Sequence, residues 1–317
     1  MSDEGPSLDS LAAGDTQDLV RPFAIEGLDI RGRIVRLGPA LDQILTAHDY
    51  PEPVSRLLGE ALLVLCQLAA GLKFEGKLSL QLRGNGPVSM LIADFFTPGT
   101  LRGYARHAAG TLPEEAGPIE TGQVRVAPLL GEGVLTVVID QGPDTERYQA
   151  VVALEGDTLT EVMAHYFIQS EQLATAFENR LARIVDAQGQ ETWVGGGLML
   201  QHMPRSAKAP GTGEPASEAW NRSDLLLRTV ETHELTDPTL PVDQLLYRLF
   251  HEDGVRVFES LPTMAGCRCR AETVETVLKS YGTEDLSDMV EDGVITVHCE
   301  FCKTAYRFDP ATLDRLT

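Results

Sequence analysis

Four of the chain's five cysteines fall in two close pairs near the C-terminal end, Cys267-Arg-Cys269 and Cys299-Glu-Phe-Cys302. No other feature limits the fold as tightly. Zinc takes four soft or borderline donors in a tetrahedron, and each close pair spans one edge of it. The run from Arg270 to His298 must then fold so that the two edges meet. The second pair lies between β-like segments, VITVH before and KTAYRF after, and reads as a hairpin turn presenting two sulfurs. We expect one Zn²⁺ per chain on Cys267, Cys269, Cys299 and Cys302. Two roles stay open for such a site. It can staple a segment too small to build its own core. Alternatively it can sense oxidants, because zinc keeps sulfur as the thiolate that they attack. A disulfide within CxC would close a small, strained and easily reduced ring.

The fifth cysteine, Cys66, sits in VLCQL on an apolar helical stretch and reads as core. His298 adjoins Cys299, but four cysteines already complete a ligand set. Other suggestive motifs fail on context. Gly84-Asn85-Gly86 has no further glycine and no following helix, so it reads as a turn rather than a phosphate cradle. Ser170-Glu171-Gln172 and Gly195 to Gly197 find no Ser/His/Asp arrangement to support catalysis, and an enzyme is not expected.

The formal net charge of −21 argues against a surface that neutralises phosphates, and from Val255 onward acidic residues outnumber basic ones by 11 to 7. Nucleic acid is therefore not an expected partner. The longest apolar run, Ala61 to Leu72, is shorter than a membrane span and holds Gln67, so no membrane partner is expected either. The start of the chain, MSDEGPSLDSLAAGDTQD, is acidic and has no signal-peptide pattern. We expect a cytoplasmic protein whose thiols stay reduced.

The pattern along the chain predicts an α+β fold: an N-terminal mixed α/β domain, a helical linker and a small C-terminal zinc-binding domain. Residues 1–20 read as a disordered tail, 21–204 as the α+β domain, 205–254 as loop and linker, and 255–317 as the zinc domain. Strands are expected in Leu28 to Gly38, Lys77 to Gly84, VSMLIADF and VLTVVID, and in GGGLMLQHMP, entered through its three glycines. Helices are expected over Pro53 to Leu72, and over Thr158 to Gln172 with a capping box from Thr158 to Glu161. After a Pro/Gly/Ser/Ala-rich loop from Arg205 to Arg222, one short helix starts near Ser223 and a second follows Pro241 at N1. That second helix places Val242, Leu245, Leu246, Leu249 and Phe250 on one face.

RGRIVRLG, LKFEGKLSLQLRGNGPVSMLIADF with LRGYAR after it, ERYQAVVALEG, HYFIQSEQL, GGGLMLQHMP and CRC…CEFC before AYRFD together resemble the heat shock protein 33 family of redox-regulated molecular chaperones. Arg270 departs from the family's usual Ser after CxC, and the loop around Gly211 looks like an insertion. The resemblance implies an inactive, reduced, zinc-bound state. It implies that oxidation pairs Cys267 with Cys269 and Cys299 with Cys302, releases zinc, and unfolds the zinc domain and linker. The product would be an ATP-independent holdase for unfolded client proteins, often a homodimer. The Val242, Leu245, Leu246, Leu249 and Phe250 face would then be the linker's switch. The rival classes are a zinc-ribbon nucleic-acid module, disfavoured by charge, and a CxxC thiol-disulfide oxidoreductase. The latter is disfavoured because strand-like sequence, not a helix, follows Cys302.

Overall fold

The structure, a computed structural model, describes residues 18–110, 112–142, 145–185, 188–203 and 216–313. Most of the tail expected over 1–20 and much of the loop expected from Arg205 lie outside the described residues. The chain divides into two units, Met1–Ala265 and Gly266–Thr317.

In the larger unit, β1 (Leu19–Ile25) and β2 (Ile30–Leu37) are followed by α1 (Pro39–Thr46) and α2 (Glu52–Ala69). Strands β3 (Lys77–Gly84), β4 (Val88–Phe96) and β5 (Thr100–His107) follow. After the short α3 (Val126–Leu130) come β6 (Gly133–Asp140), β7 (Tyr148–Ala153), α4 (Leu159–Tyr166), β8 (Thr175–Val185) and β9 (Glu191–His202). The linker contributes α5 (Ala216–Arg228), α6 (Thr232–Thr236) and α7 (Val242–Phe250), and β10 (Val255–Val257), β11 (Leu261–Pro262) and β12 (Met264–Ala265) return to the sheets.

Two sheets result. One runs β10-β1-β2-β9-β8, with β11 also on β1, and the other runs β12-β5-β4-β3-β6-β7. Every pairing in them is antiparallel except β12 on β5. Helix α2 is buried on nearly every side, from Val54 to Ala69, because it packs against both sheets. A helix apolar all round belongs in such a position. Cys66 lies there, fully buried, and burial pushes its thiol up, away from the reactive thiolate.

Several expected boundaries shift for local reasons. The strand at Gly195 to Gly197 begins earlier, at Glu191, so the glycines lie inside β9 rather than at its entrance. They are there for close approach: a Cβ on Gly196 would collide with the Leu235 carbonyl of the overlying linker. The expected helix to Gln172 ends as α-helix at Tyr166 and continues as a five-residue π turn, Phe167–Glu171. Its N-cap is as expected at Thr158, whose Oγ1 accepts from Glu161 N at 3.4 Å, but Glu161 Oε2 reaches back to Asp157 N at 2.8 Å. The first linker helix starts at Ala216 rather than near Ser223, and α6 is an additional turn with its own capping box. Ala219 and Ser223 are buried while Leu225 is exposed, so polar residues on a packed face had masked the helical period. Pro241 is the N-cap of α7 rather than N1. Residues 255–265 belong to the larger unit, because their three short strands extend sheet edges there.

The smaller unit holds α8 (Ala271–Leu278), α9 (Thr283–Asp288) and the antiparallel meander β13 (Val290–Glu291), β14 (Val294–His298) and β15 (Ala305–Phe308). Its core is slight: Leu278, Leu286, Ile295 and Leu313 are buried, and Val274, Val290, Val297 and Phe308 pack partly against them.

Candidate metal centre and linker face

The hairpin expected around the second cysteine pair is present. Cys299 N donates to Thr304 O and Lys303 N to Cys299 O, both at 2.9 Å, and Lys303 turns the chain with φ +58. This turn brings Cys299 and Cys302 together. Cys267 and Cys269 lie in the extended run that enters α8, whose N-cap is Arg270. The four half-buried sulfurs all lie within 4.8 Å of one another. Cys267 Sγ is 3.7 Å from Cys299 Sγ, and Cys269 Sγ is 3.4 Å from Cys302 Sγ. A tetrahedral zinc with Zn–S of ~2.3 Å has sulfur–sulfur edges of ~3.8 Å. The spacing therefore fits a metal held by four thiolates, whereas bonded sulfurs stand ~2.05 Å apart. His298 is exposed on β14 and outside the group.

Two residues not read from the sequence tune the sulfurs. Tyr306 Oη donates to Cys269 Sγ at 3.1 Å, and that bond pushes the phenol up to about 12. Thr304 Oγ1 lies 3.2 Å from Cys302 Sγ. At Cys302 burial opposes ionisation, but hydrogen bonds from the Thr304 hydroxyl and amide outweigh it and bring the thiol down to about 7. Burial pushes Cys269 the other way, up to about 12. The only signal in sequence was a hydroxyl residue two and four positions past the second pair.

The expected linker face is also where the sequence placed it. Val242, Leu245, Leu246, Leu249 and Phe250 are buried against Phe23, Ile25, Ile30, Ile34, Leu198 and Leu200 of the first sheet. This is the face of that sheet opposite α2. Phe250 stacks on Phe23 with ring centroids 5.9 Å apart and an interplanar angle of 25°. Arg36, buried on β2, reaches through this layer and donates to the carbonyls of Glu234 (3.0 Å), Leu235 (3.1 Å) and Leu240. Arg21 Nη1 grips both carboxylate oxygens of Asp243 at 2.7 and 2.6 Å. The linker is thus held by an apolar stripe and by two arginines of the sheet beneath it.

Fold and cluster define an α+β protein that carries a small four-thiol unit able to bind a metal ion. A family model described as Hsp33 protein matches residues 18–309. The "33 kDa chaperonin" of Caulobacter vibrioides is 43% identical over 300 residues, covering 94% of this chain and 96% of that protein. That of Pseudomonas aeruginosa is 36% identical over 301 residues, with 94% of each covered. The crystal structure of the 33 kDa chaperonin (heat shock protein 33 homolog) from Thermotoga maritima superposes with a TM-score of 0.76 at 26% identity, over 94% of this chain and 96% of that one. The chain belongs to the Hsp33 family. Among the described residues, no helix is long and apolar enough to cross a membrane.

Proposed function

We propose that this chain is a redox-regulated holdase chaperone of the cytoplasm, held inactive by zinc on Cys267, Cys269, Cys299 and Cys302 and by its docked linker. One observation carries the reading. A single chain combines four thiols at metal-ligand spacing with an apolar sheet face covered by amphipathic helices. Zinc, when bound, keeps the four sulfurs as thiolates. Oxidation by a peroxide is then a two-electron step at each pair. One thiolate attacks a peroxide oxygen and becomes a sulfenic acid, and the O–O bond breaks to release hydroxide. The second thiolate displaces hydroxide from that sulfur and forms the disulfide. Once all four sulfurs are in disulfides, no thiolate remains to hold a metal and the small unit loses its main support. Loss of that support frees the linker, and the sheet face beneath it becomes the surface for unfolded clients. The oxidised form pairs with a second copy.

Aggregation of a heat-labile client, followed with reduced and peroxide-treated protein side by side, tests this. Suppression is expected only after oxidation, together with release of one zinc per chain. Cys66→Ser is expected to leave both zinc content and switching unchanged, because Cys66 is walled into α2. A reduced protein that suppresses aggregation as well as the oxidised one, or that contains no zinc, would refute the proposal.

The pairing of the sulfurs is a separate prediction. We expect Cys267–Cys269 and Cys299–Cys302, since sulfurs close in sequence stay together as the unit opens, whereas the long run between the pairs lets them separate. The two short sulfur contacts in the folded unit join opposite pairs, Cys267 with Cys299 and Cys269 with Cys302, so the outcome discriminates. Peptide mapping of the unreduced, oxidised protein reads it. Dominant cross-pairs would mean that oxidation finishes before the unit opens.

A further inference from the structure

A cavity of about 340 Å³ opens on the larger unit, on the α2 side of the first sheet. Leu68, Val137 and Phe167 form its buried floor, while Leu72, Tyr148 and Glu171 stand exposed at its rim. Its wall contains one cation, Arg33 on β2. The Arg33 guanidinium is poorly satisfied: Nη1 lies 3.3 Å from the Met199 thioether sulfur, a weak acceptor. Among the described residues no carboxylate is paired with it. It lies directly over Gly71, where an added Cβ would force the guanidinium to shift. Burial lowers its pKa to about 10, so it stays charged at neutral pH although partly desolvated. A half-buried guanidinium without an anion is costly, and a planar fork of donors matches a carboxylate.

Glu171 does not fill that need. Its Oε1 already accepts from the hydroxyls of Tyr148 and Tyr166, both at 3.1 Å, and its position at the exposed rim leaves its charge to solvent screening. Gln201 is the other polar side chain besides the two tyrosines, and its amide nitrogen is turned to Thr175 Oγ1 at 3.5 Å; the rest of the lining is apolar. Strand β6, which supplies Val137 and Ile139, is paired on both sides by β3 and β7, so its backbone offers nothing to a peptide. A ligand that pairs with Arg33 and fills this mostly apolar space brings one anion and a largely apolar tail. The volume lies near the low end of the roughly 300–1,000 Å³ usual for ligand sites.

We propose that this cavity is a binding site for a medium-chain aliphatic monocarboxylate, its carboxylate on Arg33 and its tail over Leu68, Val137 and Phe167. The site is independent of the thiol cluster and of the linker face.

Calorimetric titration of the reduced full-length protein with octanoate, octan-1-ol and acetate, all below any micelle threshold, tests it. Octanoate is expected to saturate at one per chain, with octan-1-ol at least tenfold weaker and acetate showing no binding. Arg33→Met is expected to erase the preference for the acid over the alcohol, while Arg33→Lys keeps a reduced preference. Should Arg33→Met fail to fold, wild-type protein still decides: nuclear Overhauser contacts from octanoate methylenes to the methyls of Leu68 and Val137 are expected at saturation. Equal binding of acid and alcohol by the wild type overturns the proposal, as does unchanged octanoate affinity in folded Arg33→Met. Absence of those contacts at saturation also overturns it. So does binding of N-acetyl-trileucine acid with none of octanoate, which would make the cavity a peptide site.

Discussion

Removing the metal is expected to unfold Gly266–Thr317 while the larger unit stays folded. Among its described residues the small unit buries four apolar side chains, Leu278, Leu286, Ile295 and Leu313, around short helices and a meander one of whose outer strands is two residues long. A core of that size does not offset the conformational entropy of ordering its backbone. A structural zinc site, by contrast, contributes an apparent ~10–16 kcal/mol near neutral pH, as much as the whole stability of many domains, ~5–15 kcal/mol. The larger unit draws on the extensive core around α2 and contributes none of the four thiols. Hydrogen exchange on the full chain, before and after treatment with a chelator and a thiol-blocking reagent, gives the readout. Amides of β14 and β15 are expected to lose protection and those of β3 and β4 to keep it. Retained protection in β14 after complete metal loss would show that the thiols do not hold the unit together.

Leu246→Glu is expected to activate the reduced protein. Leu246 is fully buried between α7 and the sheet. An unpaired charge placed there costs on the order of 3–5 kcal/mol, against ~1.4 kcal/mol for each tenfold change in an equilibrium. The undocked fraction should therefore rise at least a hundredfold, with every cysteine untouched. Gln244→Glu, on the exposed side of the same helix, is the control and should behave like wild type. Both variants would be checked for zinc and then assayed without oxidant. A zinc-loaded, folded Leu246→Glu protein that stays silent until oxidised would show that linker docking does not gate the client surface.

Much of this was legible in the sequence, and what was missed has physical causes. The cysteine spacing announced the four-sulfur group, because ligand geometry is a local constraint that few sequences meet by chance. The α7 face was legible because its period is unbroken from Val242 to Phe250. The start of helix α5 was not: the helix expected near Ser223 begins at Ala216, and with Ser223 buried and Leu225 exposed its apolar period is broken. Strands β10 to β12 have two or three residues each and exist through pairing with partners distant in sequence, so no local signal marks them. Arg36 looked like one more charge in an alternating strand. Its role depends on three carbonyls about two hundred positions away, and only the fold brings them there.

The strands that were missed also bear on how fast the molecule can reset. The linker helices leave the first sheet from β9 and rejoin it at β10 and β11, which pair with β1. They form a loop fastened at both ends to the surface they cover. If those fastenings persist, re-covering the sheet is loop closure and helix formation, events of about a microsecond or less, at an effective concentration independent of dilution. Thiol–disulfide exchange takes seconds to hours. After an oxidative episode the duration of the open state would then be timed by the chemistry of Cys267, Cys269, Cys299 and Cys302. The availability of reductant in the cell, rather than any motion of the protein, would decide when bound clients are let go.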